Sequence, residues 1–289
     1  MLLIDSHTHI FPPHFGAKRW ELLGQDQTFA SLYSHPEKLL ASAIDLVAEM
    51  DLSGIDISVA AGIGWTDFRL AQQANDYTIA SVRQHPDRLI GLCAINPLWG
   101  AAAIEEIYRC ADAGLRGIGE LHPDSQGFQI DDAGLLRPVM TAAAELGLPV
   151  LVHSSEPVGH LYPGKGKTHP YALLEFIKSF QSNDIICAHW GGGLPFYALM
   201  PEVGDAFAKV YFDSAASPFL YSNQVYEIVD RLVGTGKLLF GTDFPLLRQK
   251  RVLETIRGAN LSDEARGLLM GGNAARLFRL DFASSIVGV

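Results

Sequence analysis

Short apolar runs alternate with helix-like stretches along almost the whole chain. It opens on Leu2, Leu3 and Ile4, and seven more runs follow: IDISVAAGI, RLIGLCAINP, LRGIGELH, PVLVHSSE, DIICAHWGGG, KVYFDSAASP and KLLFGTDFP. Each reads as a strand. Between them lie stretches with helical spacing and helix signals. Glu37 to Leu52 stops at Gly54, TDFRLAQQANDYTIASVRQH opens on a Thr or Asp cap, and AAAIEEIYRCADAG closes at Gly114. AGLLRPVMTAAAELG, HPYALLEFIKSFQ, a stretch through Phe207, Ser222 to Val233 and the C-terminal part complete the helical set. Strands alternating with helices imply right-handed βαβ units and a parallel sheet. Eight units in 289 residues predict an α/β fold, a (β/α)8 barrel in one domain over 1–289, with a doubly wound open sheet as the second topology. Phe11 to Pro36, with two consecutive prolines and aromatic residues such as Trp20 and Tyr33, is expected to be a loop-rich insertion after the first strand, over the barrel mouth.

Composition narrows the function. The hydrophobic fraction of 48% excludes a disordered chain. With 22 basic against 32 acidic residues and a net charge of −10, no clustered Lys/Arg surface for nucleic acid is expected. Cys93, Cys110 and Cys187 have no metal-site spacing and suit a reducing compartment. Asp5 and His7 break any signal-peptide pattern, and no apolar run approaches the ~20 residues needed to cross a bilayer. A cytoplasmic enzyme with a small-molecule substrate, able to form a homo-oligomer through outer helices, is the expectation.

The chemistry of a parallel barrel sits at the C-terminal ends of its strands. Those ends carry His7 and His9, then Glu120 and His122, His153, His189 and Asp243. Residues i and i+2 of a strand point the same way, so His7 and His9 share a face, as do Glu120 and His122. Imidazoles and carboxylates converging on one mouth suit zinc or a similar divalent ion. Taken singly, each has a plainer reading: a hydrogen-bonded rim histidine, or Asp243 as a helix cap. The joint set favours a metal site.

The ordered set HTH, VLVH, CAHWGGG and GTDFP resembles the amidohydrolase superfamily. Within it, the chain is most similar to the branch of aminocarboxymuconate semialdehyde decarboxylase and its relatives, down to the closing GGNAARLF from Gly271. The resemblance implies His7, His9 and His153 as metal ligands, Asp243 as a ligand beside the reactive water, and His189 as acid/base or substrate-orienting group. Glu120 is either a ligand or a partner that orients a ligand histidine. One zinc ion is expected, or two if Glu120 and His189 both ligate. His122 is left as a rim or substrate-contact residue.

Such a metal lowers the pKa of bound water to about 7. Hydrolysis of an ester, lactone or amide is therefore the first expectation. Non-oxidative decarboxylation of a small unsaturated or aromatic acid is the alternative, and a binding barrel with a decayed site the third. Trp190 and Phe244, next to His189 and Asp243, are expected to wall the substrate. Lys165, in a loop that also holds His160, Tyr162 and Lys167, and Arg248 past the last strand are the candidate anion clamps. Cys187, sharing parity with His189, is expected inside the barrel as core filling.

Overall fold

The computed structural model describes residues 2–280; the other residues of the single domain expected over 1–289 lie outside it. It contains eight strands in parallel order: β1 (Ile4–His9), β2 (Ile57–Ala61), β3 (Leu89–Gly91), β4 (Ile118–Leu121), β5 (Val150–Val152), β6 (Ile185–Cys187), β7 (Val210–Asp213) and β8 (Leu238–Leu239). β1 to β3 pair in sequence, as do β4 to β8. Parallel bridges join Cys93 to Ile118 and Thr8 to Phe244, linking the two sheets on both sides. The (β/α)8 barrel is the architecture, with β2 to β8 each shorter than its apolar run.

Two layers of side chains hold it. Ile4, Val59, Ile90, Leu151, Ile186 and Leu239 fill the interior, and Ala274, Leu277 and Phe278 of the closing stretch plug its base. The GGN sequence has a physical cause there. Gly271 brings its backbone so near Leu2 that a Cβ would fall 2.1 Å from the Leu2 carbonyl oxygen. The Asn273 amide donates to the carbonyls of Thr235 (2.7 Å) and Leu238 (2.8 Å). The outer layer packs Val150, Val152, Phe212 and Phe240 against the surrounding helices.

Cys187 belongs to this outer layer, correcting the expectation that it points inward. Alternation fails because the chain turns left-handed at His189 (φ 55°) and Trp190 (φ 57°), swinging the imidazole back over the barrel. β1 has its own irregularity, a register slip between Asp5 and Thr8. Ile4 faces the interior, whereas Asp5 faces the helix Gln249–Arg257 and accepts from Gln249 Nε2 (2.8 Å) and Thr242 Oγ1 (2.6 Å).

Burial raises the Asp5 carboxyl to about 6 despite those donors. A carboxyl raised from 3.8 to about 6 on folding favours the protonated form, so its contribution to stability is full below the unfolded pKa. That contribution, about 3 kcal/mol, is lost as pH rises through 6. Asp5→Asn is therefore expected to flatten the fall of Tm between about pH 4 and 6.5 in metal-free protein. Thermal melts across that range test it, and an unchanged slope counts against it.

The insertion is helical rather than loop-rich. Pro13–Ala17, Arg19–Gln25 and Gln27–Tyr33 are short helices. Pro12 and Pro13 occupy the N-cap and first helical position, where a missing N–H costs nothing. Phe11, Phe15, Leu22, Phe29 and Tyr33 pack around the fully buried Trp65 as a satellite core. Buried Asp26 ties it down, capping Phe29 N (2.8 Å) and accepting from Thr66 N (2.7 Å) and Asp67 N (2.9 Å). Arg19 donates to the carbonyls of Tyr33 (3.1 Å), His35 (3.1 Å) and Lys38, and so fixes the segment that rims the barrel mouth.

Candidate metal centre

Glu120 reaches the centre through a local distortion of β4. Gly119 has a φ of 128°, and a Cβ there would fall 2.5 Å from the Leu151 carbonyl oxygen, so only glycine fits. Gly62, past the end of β2, accepts from Glu120 N (2.7 Å) and donates to Gly119 O (3.1 Å), bypassing the short β3. The Glu120 carboxylate then sits among four imidazoles. Its Oε2 is 3.6 Å from His7 Nε2 and 3.7 Å from His9 Nε2, and its Oε1 is 3.1 Å from His153 Nδ1 and 3.6 Å from His189 Nε2.

Hydrogen bonds on the far side of each ring decide which nitrogen faces inward. His7 Nδ1 meets Asp213 Oδ2 at 2.8 Å, His9 Nδ1 meets Ala61 O at 3.1 Å, and His189 Nδ1 meets Ala215 O at 3.1 Å. Carbonyl oxygens only accept, so in His9 and His189 Nδ1 carries the hydrogen. The Nε2 lone pairs are left for the centre. Asp213 also accepts from His189 N (2.9 Å) and Ala215 N (3.0 Å) through Oδ1. It orients two histidines at once, and the sequence reading passed over it.

The donor set fits a cation. His7, His9 and Asp243 offer ligand atoms within 4.8 Å of one another, and so do Glu120, His153 and His189. His7 Nε2 and His9 Nε2 face each other at 3.2 Å, and Asp243 Oδ1 is 3.2 Å from His9 Nε2. Lone pairs and carboxylates crowded this closely need a proton or a metal between them. In the metal-free site protons answer that need. Burial works to lower His7, but Asp213 and Glu120 outweigh it and hold the imidazole well above its usual 6.5. His189, likewise opposed by burial, is raised to about 9 by Glu120, Asp243 and Asp213. Burial would raise Glu120 and Asp243, yet the surrounding imidazoles hold both carboxyls below their usual range.

The centre floors a cavity of about 480 Å³ whose apolar walls include Leu32, Tyr33, Ile63, Phe219 and Leu220. The expected substrate contacts do not line it. Trp190 is fully buried, edge-on to Tyr226 (5.2 Å) and bonded through Nε1 to Ser217, because the left-handed turn sends it away from His189. Phe244 packs in the outer layer, and Pro245 and Leu246 beyond it reach the cavity. Lys165 Nζ donates to the carbonyls of Val158 (2.7 Å) and His160 (3.0 Å), so it organises its own loop. Arg248 pairs with Glu49 (2.7 Å) and ties two outer helices together. Among the described residues Lys38, from the segment held by Arg19, is the lysine that does line the cavity. No helix of the described residues is long and apolar enough to cross a membrane.

Residues 4–280 match the family model described as amidohydrolase. Among characterised proteins the chain is similar to gamma-resorcylate decarboxylase of Rhizobium sp. (strain MTP-10005), 24% identical over 257 residues, covering 74% of this chain and 77% of that one. The enzyme of the same name from Rhodococcus jostii (strain RHA1) is 24% identical over 262 residues, with 73% and 77% covered. Among solved structures, 5-carboxyvanillate decarboxylase from Sphingomonas paucimobilis superposes with a TM-score of 0.78 at 20% identity, covering 97% of this chain and 99% of that one. Dihydroxybenzoic acid decarboxylase from Polaromonas sp. JS666, with bound manganese and 2-nitroresorcinol, gives a TM-score of 0.74 at 18% identity, with 99% of both chains covered. These relatives correct the first expectation of ester, lactone or amide hydrolysis, because those with a stated activity are decarboxylases. The metal ion named with the Polaromonas structure is manganese rather than zinc. The match over residues 4–280 places this chain in the amidohydrolase family.

Proposed function

We propose that the protein is a metal-dependent, non-oxidative decarboxylase of a small hydroxylated aromatic acid. The observation that carries this reading is the position of the two ligand groups at the floor of a cavity of about 480 Å³ with apolar walls, roomy enough for a small ring acid. The sequence relatives, decarboxylases of gamma-resorcylate, support the reaction class.

Loss of carbon dioxide from a ring leaves the bonding electron pair on a ring carbon, which must take up a proton. A divalent cation held at the centre, with manganese the first choice, would draw charge from the oxygen atoms of the bound acid. His7, His9, His153 and Asp243 would hold it, and Glu120 is placed to join either ligand group. His189 Nε2 faces Glu120 Oε1 at 3.6 Å and the residue lines the cavity, so in its protonated form it is the proton source for the ring carbon. Asp243, ionised beside His9, balances the charge of His189, which takes its next proton from solvent to complete the cycle. The apolar walls would shield the carbanion-like ring carbon on the sides formed by Leu32, Ile63, Phe219 and Leu220.

The test strips the protein with a chelator, reloads it with manganese or zinc, and follows carbon dioxide release from a panel of hydroxybenzoates and carboxyvanillate-like acids. Release from at least one hydroxylated acid, lost on chelation and restored by metal, is the expected result. A panel with no release under either metal would sink the reading.

A further inference from the structure

Tyr33 ends the last helix of the insertion and belongs to two environments at once. Its ring packs in the satellite core, stacked on Phe29 (centroids 5.2 Å apart) and edge-on to Phe11 (5.1 Å), while Arg19 holds its carbonyl. The residue is 8% exposed and lines the cavity. Thr28 and Tyr226 bury unpartnered hydroxyls beyond the reach of any ligand, but the Tyr33 hydroxyl is not sealed in this way. Among the described residues no group hydrogen-bonds it.

Phenylalanine would fill the same place between Phe11 and Phe29, so packing does not account for the hydroxyl. The chemistry of the centre does. Burial, reinforced by the charges of Asp243 and Glu120, pushes the phenol above its usual 10. The hydroxyl therefore keeps its hydrogen, within the field of two candidate ligands. Tyr162, the other tyrosine of the cavity, donates to Glu156 (3.0 Å), which leaves Tyr33 as the uncommitted phenol. A ring hydroxyl of a bound acid can donate to Asp243, since an ionised carboxylate only accepts. The carboxylate of that acid has no hydrogen, so its partner must be a donor.

We infer that Tyr33 binds the carboxylate of the substrate, donating its phenol hydrogen to a carboxylate oxygen. This rests on the decarboxylase reading, and it names a residue that prefers the acid over the phenol left by its decarboxylation. The hydrogen bond belongs to the ground state. As the carbon–carbon bond breaks, its electron pair passes to the ring and the carboxylate departs as neutral carbon dioxide. The bond weakens along that path, so its loss raises KM without lowering kcat.

The test compares Tyr33→Phe with the parent, both as manganese-loaded full chains, on a hydroxybenzoate that the parent decarboxylates and on the phenol it becomes. Steady-state assays read the acid, and calorimetry reads the phenol. Tyr33→Phe is expected to raise KM for the acid about tenfold or more, as fits a hydrogen bond to a charged group, with kcat undiminished. Affinity for the phenol, manganese content and circular dichroism should match the parent. A parental KM, equal losses for acid and phenol, a fall in kcat or a loss of manganese overturns the inference alone. A parent that decarboxylates no acid of the panel overturns the decarboxylase reading and the inference with it.

Discussion

Asp243→Asn is expected to lower turnover by about 10²- to 10⁴-fold in a chain that still folds. The argument begins with the backbone. Asp243 sits in the left-handed region (φ 64°), which asparagine adopts as readily as aspartate. The neighbouring frame is set by main-chain bonds from Asp243 N to His7 O (2.9 Å) and from His9 N to Phe244 O (2.7 Å), which the substitution leaves intact. What disappears is the charge beside His9 Nε2 and beside His189, in a residue grouped with His7 and His9 for a metal. Steady-state assays with metal content and circular dichroism run in parallel check this. Activity within tenfold of the parent at equal metal loading would remove Asp243 from the chemistry.

Glu120→Gln is the second substitution of large effect, and its main readout is the metal. The carboxylate is buried among four imidazoles at 3.1 to 3.7 Å, where an amide cannot offer two equivalent acceptors or a negative charge. Losing a partner that only orients a ligand costs about 10- to 100-fold in metal affinity. A lost ligand costs more. The expected fall is beyond about 100-fold, measured by competition with a chelator of known affinity. His189 should titrate lower as well, since Glu120 is the leading group that raises it to about 9. Parental metal affinity in the variant would reduce Glu120 to a hydrogen-bonding partner of His153.

Much of the centre was legible because strand ends are legible. An apolar run broken by histidine or a carboxylate marks where a buried strand meets the barrel mouth, and His7, His9, Glu120, His153, His189 and Asp243 all carry that mark. Asp213 carries it too, at the end of VYFD, but reads as an ordinary turn until His7 is seen across the barrel. The walls were not legible. Trp190 and Phe244 are sequence neighbours of site residues that point elsewhere, because direction depends on local φ and not on adjacency. Lys165 and Arg248 have the charge for an anion clamp, but nearer carbonyls and Glu49 already occupy them. The helices of the insertion escaped notice because Pro12 and Pro13 look like breakers when they are in fact a helix start.

The clamp by Arg19 has a bearing on how this enzyme could change its diet. The guanidinium grips main-chain oxygens at positions 33, 35 and 38, and every amino acid supplies such an oxygen. The rim therefore keeps its course whatever side chains it displays. Glu37, Lys38 and Leu39 can be exchanged as interchangeable fittings on a fixed rail, while the metal centre beneath them stays untouched. Divergence toward new substrates, by drift or in a designed library, has its cheapest route through those positions.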